Sequence, residues 1–113
     1  LGQRLDDPWL RASQGYDHNL VLPGEDSPAA VMYCPRTGIR MELETSLEGL
    51  QLYTAGFLSE RQGKGGVLYG PRHAVCLETQ HFPDAIHHPE FPSPVLQAGE
   101  VYRQRTVYRF SRC

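Results

Sequence analysis

Hydrophobic and polar positions alternate with a period of two along much of the chain. The clearest case is IRMELET, residues 39–45, where Ile39, Met41 and Leu43 fall on one side and Arg40, Glu42 and Glu44 on the other. Successive side chains of a strand point to opposite faces, so this pattern predicts a half-buried strand. GLQLYT (49–54) alternates again, with Leu50, Leu52 and Thr54 opposite Gln51 and Tyr53. AVCLETQ (74–80) sets Val75, Leu77 and Thr79 on one face and Ala74, Cys76, Glu78 and Gln80 on the other. VYRQRTVYRF (101–110) reads as a long final strand, with Tyr102, Gln104, Thr106, Tyr108 and Phe110 facing away from Arg103, Arg105 and Arg109. HNLVL (18–22) and AAVMY (29–33) are shorter apolar runs of strand length.

Turn chemistry separates these runs. PGEDSP (23–28), CPRTG (34–38) and Ala98–Gly99 predict turns, and SERQGKGG (59–66) predicts a flexible glycine-rich loop. That loop lacks the GxxxxGK[ST] spacing of a phosphate loop. The proline-rich stretch 83–94 cannot join a sheet interior, because proline has no N–H to donate. The first 14 residues read as an irregular lead-in in which Asp6, Asp7 and Pro8 begin a helical turn. No amphipathic helix longer than a turn or two, no internal repeat and no interdomain linker interrupts the series. Short strands between turn signals indicate one all-β domain, a sandwich or a barrel.

Composition narrows the function classes. At 113 residues, the chain is long enough for one modest domain, and 40% hydrophobic with 21% charged residues suits a globular protein. A formal net charge of -2 and the absence of any Lys/Arg run argue against nucleic acid as a partner. No apolar run reaches membrane-spanning length, and no secretory segment opens the chain. Cys34, Cys76 and Cys113 are odd in number and widely spaced, which predicts free thiols in a reducing cytoplasm. The chain begins at Leu1 rather than Met, so residues upstream are expected to be missing.

Four features carry candidate chemistry. Glu78 lies inside an apolar strand; it is either a general base on a concave sheet face or a solvent-facing carboxylate. His81, Asp84, His87 and His88 offer nitrogen and oxygen ligands, but their spacing matches no standard zinc pattern. The alternative there is a rigid loop. In GYDHN (15–19), Asp17 either accepts backbone donors in a turn or binds a hydroxylated ligand. Gln51 beside Tyr53 pairs an amide with a stacking surface, an arrangement suited to a sugar and equally common on ordinary sheets.

GYDHNLVL, LQLYTAGFL, GKGGVLYGPRHAVCLETQHFPDAIHHPEFPSPVL and AGEVYRQRTVYRF together resemble successive C-terminal motifs of the aldose 1-epimerases, or galactose mutarotases. The resemblance runs from residue 15 to residue 110 and corresponds to the last third of a family member. It implies a large antiparallel β-sandwich, of which residues 1–113 would be a single C-terminal segment. It further implies interconversion of the α and β anomers of free aldohexoses such as galactose and glucose, with no metal or organic cofactor. Carried over residue by residue, Glu78 would be the general base, and Asp17 and Gln51 would bind substrate hydroxyls. His18 and Asn19 continue the motif without an assigned role. Ala55-Gly56 replaces the family's usual Gly-Asn pair, which bears on local loop geometry there.

The resemblance also implies that the acid histidine, a second histidine and an arginine lie upstream of Leu1. The chain is thus expected to be a fragment, or one of two polypeptides that assemble with the N-terminal portion as a separate chain. Alone it is expected to lack substantial activity and to associate through exposed strand edges. Stretch 81–94 is expected to edge the sugar cleft and support Glu78. Two other readings stand beside the enzyme: a non-catalytic sugar-binding module of the same fold, and a hexose-6-phosphate epimerase drawing on Arg36, Arg40, Arg61, Lys64 and Arg72.

Overall fold

The computed structural model describes residues 1–24 and 28–113, so the middle of the predicted turn at 23–28 lies outside the described residues. Strands form at Asp17–Val21 (β1), Ala30–Cys34 (β2), Ile39–Thr45 (β3), Gly49–Tyr53 (β4), Arg61–Gln62 (β5), Leu68–Tyr69 (β6), Cys76–Gln80 (β7) and Thr106–Arg112 (β8). One short helix, Pro8–Ala12 (α1), precedes them, and single 3-10 turns occupy Lys64–Gly66 and Ala85–His87. The sheets have the orders β1-β4-β7, β2-β3-β8 and β5-β6. The pairings β2–β3, β3–β8 and β5–β6 are antiparallel, as an all-β reading requires. Contacts group the described residues into two compact units, Leu1–Leu20 with Gln51–Glu78, and Val21–Leu50 with Thr79–Cys113.

In the first unit, α1 starts where local chemistry permits it. The Asp7 side chain accepts a hydrogen bond from the Trp9 N–H at 2.9 Å, and Pro8 fills the first helical position, where no N–H is needed. Leu10 is the helix's buried residue. The chain then turns sharply at Gln14 and Gly15, and the Gly15 N–H donates to the Leu10 carbonyl at 2.8 Å. The stretch 59–66, expected to be a flexible loop, is instead largely structured. It supplies β5 and a 3-10 turn, and Arg61 pairs with Tyr69 across a small hairpin. The Tyr69 ring lies so close over Gly63 that a Cβ there would sit 1.8 Å from the ring. The ring fits only against a bare backbone, and that packing orders the loop.

The second unit is built on β2-β3-β8. Met32 faces Met41 and Ala30 faces Leu43 across β2–β3, while Phe110 and Tyr108 face Met41 and Leu43 across β3–β8. Met41, Leu43, Leu47, Leu50 and Ala85 are buried, Leu43 completely. The reverse side of the sheet is charged. Glu42 lies opposite Arg109, Arg109 also pairs with Glu44, and Arg40 pairs with Glu42. These partly exposed pairs contribute little to stability, roughly 0–1 kcal/mol each.

The final strand is shorter at its start than alternation suggests. β8 begins at Thr106 because its partner β3 ends at the opposing Thr45. Residues 101–105 keep the alternating pattern but have no ladder to join. Ser46 closes the end instead: its N–H donates to the Arg105 carbonyl at 3.0 Å, and its hydroxyl accepts from the Arg105 N–H at 3.1 Å. β7 likewise starts at Cys76 rather than residue 74, since the chain has just left a turn closed by His73 N–H to the Gly70 carbonyl.

Full burial makes Leu43, with Leu50, one of the two most deeply buried core positions of the second unit. Leu43→Ala is expected to cost roughly 2–5 kcal/mol. Urea unfolding followed by circular dichroism measures this, and a loss under about 1 kcal/mol would show that the sheet is not packed over this residue.

Candidate active site

The order β1-β4-β7 places Asp17, Gln51 and Glu78 on three neighbouring strands, with Gln51 on the middle one. All three belong to the first unit. Leu52 is buried on one side of β4, so the alternation turns Gln51 to the other side, where its amide is half-exposed. Its Nε2 donates to Asp17 Oδ1 at 2.6 Å. This is a short charge-assisted bond, and it joins two residues 34 positions apart in sequence. It leaves the second Asp17 oxygen, the Gln51 carbonyl oxygen and one Gln51 N–H to meet a ligand.

Glu78 is exposed on β7, and among the described residues its carboxylate has no hydrogen-bond or ion-pair partner. His18 is half-buried beside Asp17. Its Nδ1 accepts the Asp17 N–H at 3.0 Å, which puts the ring proton on Nε2 when the imidazole is neutral. The Tyr16 ring stands edge-on to it at 6.1 Å.

His87 and His88 share Asp84, the latter at 3.7 Å, while His81 has a partner elsewhere. His81 Nδ1 is 2.8 Å from Glu48 Oε1. His87 pairs with Asp84, and His88 Nδ1 is 3.1 Å from Glu90 Oε1. His88 also stacks on Phe91, which meets Phe82 edge-on. The Glu90 carboxyl is held below its ordinary range, first by its own backbone N–H and then by His88. That small contribution is present at neutral pH and is lost as acid protonates Glu90. Among the described residues no three His, Cys, Asp or Glu side chains group as a metal ion would require. The three cysteines are free, and the Thr37 hydroxyl, followed by its backbone N–H, lowers the Cys34 thiol below its usual range.

A family profile described as aldose 1-epimerase matches residues 2–109. The chain belongs to the aldose 1-epimerase family. It is 39% identical to the galactose mutarotase of Homo sapiens over 98% of this chain and 32% of that protein. It is 31% identical to the aldose 1-epimerase of Escherichia coli (strain K12), over 94% of this chain and 32% of that one. The crystal structure of a GalM/aldose epimerase homologue from C. elegans superposes with a TM-score of 0.78 at 31% identity, covering 86% of this chain and 30% of that one. The chain therefore spans about a third of the length of the curated relatives it matches. The all-β antiparallel fold is thus a portion of the aldose epimerase fold. Among the described residues no helix is long and apolar enough to cross a membrane.

Sequence reasoning did not single out Thr54 or Gly15 in this epimerase segment. Thr54 lies just past the end of β4, next to Tyr53. Its Oγ1 accepts the Tyr16 N–H at 2.9 Å, and its own N–H donates to the Tyr16 carbonyl at 2.9 Å. Gly15 has φ +144, and a Cβ there would lie 2.4 Å from Thr54 Oγ1. The available signal was a hydroxyl on the Leu50/Leu52 face of β4, where an apolar residue would continue the pattern. The same unit holds an open cleft of about 360 Å³, lined mostly by apolar atoms with Arg72 and His73 at its wall. Thr54 reaches this cleft, whereas Asp17, Gln51 and Glu78 do not line it.

Gly15→Ala is expected to destabilise the protein by more than about 1 kcal/mol, because it combines a positive φ with a clash. Differential scanning calorimetry measures the loss, and an unchanged melting temperature would show that the Gly15–Thr54 approach is not tight. Calorimetric titration with Zn²⁺ is expected to show no stoichiometric site at His81, Asp84, His87 and His88.

Proposed function

We propose that the full-length protein is an aldose 1-epimerase that interconverts the α and β anomers of free hexoses such as galactose and glucose, and that this segment carries its base. The observation that carries the proposal is the contrast among three side chains on neighbouring strands. Asp17 and Gln51 are bound to each other, while Glu78 is unpartnered and exposed. The names of the family and of the relatives support the same reading.

Mutarotation opens and recloses a cyclic hemiacetal. Glu78 takes the proton from the C1 hydroxyl as an acid protonates the ring oxygen. The bond between C1 and the ring oxygen breaks, the C1 aldehyde turns about C1–C2, and closure on its other face returns both protons. The acid belongs to the part of the protein outside these residues. A base must be free to accept a proton, which suits a carboxylate with no competing donor. A binding pair must instead be rigid. The Asp17–Gln51 bond fixes two acceptors and one donor toward vicinal hydroxyls, leaving C1 free to rotate.

No step in this scheme needs a metal or organic cofactor, so treatment with EDTA is expected to leave the rate unchanged. Single-chain and two-chain arrangements of the enzyme give the same site, and residues 1–113 alone are expected to turn over no sugar.

Polarimetry of fresh α-galactose with the full-length protein tests the assignment. Glu78→Gln is expected to lower kcat roughly 10²–10⁴-fold with KM little changed. Asp17→Ala is expected to act chiefly on KM. A Glu78→Gln protein with its full rate would remove Glu78 as the base and favour a sugar-binding module.

A further inference from the structure

The pair that holds the sugar in the proposed reading depends on how β1 lies against β4. Side chains of a strand alternate faces, so a slip of one residue would carry Asp17 away from Gln51 altogether. Both strands are short, five residues each. Buried Leu50 and Leu52 fix which face of β4 turns inward, and the Leu22 N–H to Glu48 carbonyl bond holds the far end of the pairing; at the near end the chain departs from β4 almost at once, since Ala55 has φ +54.

Thr54 occupies that point of departure. Its backbone N–H holds the Tyr16 carbonyl and its hydroxyl holds the Tyr16 N–H, each at 2.9 Å. The hydroxyl also lies 3.3 Å from the Tyr16 carbonyl. The Tyr16 peptide is therefore gripped at both its polar groups by one residue. The hydroxyl takes the acceptor role that a carbonyl would fill if the ladder continued. Tyr16 immediately precedes Asp17, and Thr54 follows Gln51 by three positions.

Neighbouring structure holds the grip in place. Gly15 has no Cβ to push the hydroxyl away. Its carbonyl accepts from Ser13 Oγ at 2.6 Å. On the other side Ala55 is buried, and its carbonyl accepts the Arg72 N–H at 2.9 Å. A Cβ at Gly56 would lie 2.5 Å from the Ser13 carbonyl, so the backbone beyond Thr54 is pressed against the end of α1.

We infer that the Thr54 hydroxyl is a positioning group for sugar binding: by gripping the Tyr16 peptide it sets the register that brings Asp17 to Gln51. This rests on the proposed role of that pair. Thr54 itself need not touch the sugar.

The test uses the full-length protein with Thr54→Val, which keeps the shape and removes the hydroxyl, and Thr54→Ser, which restores it. KM for galactose by polarimetry, Kd by calorimetry and the melting temperature are read together. Losing the bond is expected to raise KM and Kd for Thr54→Val roughly 5–30-fold, with kcat within about twofold, while Thr54→Ser stays near the parent. In an Asp17→Ala background the valine substitution is expected to add little further loss, because the pair it serves is already broken. Should the valine protein not fold, Thr54→Ala removes the hydroxyl without placing a new methyl beside Gly15. A lowered melting temperature with KM and Kd unchanged would overturn the inference, as would full additivity with Asp17→Ala. A parent protein that binds galactose without turning it over would remove the catalytic reading, and Kd alone would then decide the role of Thr54. A parent that does neither would remove both.

Discussion

A strand can slide past its neighbour only by whole residues, and each single step turns every side chain over. The candidate site in this segment depends on that constraint being met at one place, between β1 and β4. There a short hydrogen bond joins an aspartate and a glutamine that the sequence keeps 34 residues apart. The bond cannot set the register by itself, because two side chains reach each other only after the strands are aligned. Buried Leu52 decides which face of β4 turns inward, and the Thr54 hydroxyl and N–H, both bound to the Tyr16 backbone, hold the strand end.

Physical differences among the three site residues follow from their surroundings rather than from their types. Asp17 and Glu78 are both carboxylates on exposed strand positions. Asp17 has an amide donor in its grasp, which lowers its freedom to move and fixes its direction. Glu78 has none, and its lone pairs face outward. One carboxylate is thus suited to recognition and the other to proton transfer, without any difference in chemistry at the residue itself. The loop after β7 also contains carboxylates, but each of Asp84 and Glu90 is occupied by a histidine.

Much of this could be read before any coordinates. Strict alternation in 39–45 located β3 to the residue, since Met41 and Leu43 bury one face and charges keep the other wet. β4 came within a residue of its observed bounds for the same reason, and β1 and β2 did so as short apolar runs between turn signals. Of the candidate site residues, Glu78 stood out as a carboxylate in an apolar strand, Gln51 as an amide beside an aromatic and Asp17 as a polar residue at a strand's start, and the family motifs turned these into proposed roles. What pattern could not show was long-range pairing. Residues 101–105 alternate as well as 106–110, yet only the latter have a partner strand. The hold of Thr54 on Tyr16 was invisible for a related reason. A threonine at a strand's end looks ordinary until the opposite strand's peptide is seen beneath it.

The glycine-rich stretch between β5 and β6 shows how misleading composition can be about freedom. Its glycines look interchangeable, yet they answer to different constraints. Gly63 lies under the Tyr69 ring with no room for one more carbon, whereas a Cβ on Gly65 would meet nothing within 4 Å. Tolerance to change in this loop therefore varies from one residue to the next. At Gly65 the constraint is the backbone instead: its φ of +66 strains any residue that carries a Cβ, so of two glycines two residues apart one is kept by a ring and the other by a torsion angle.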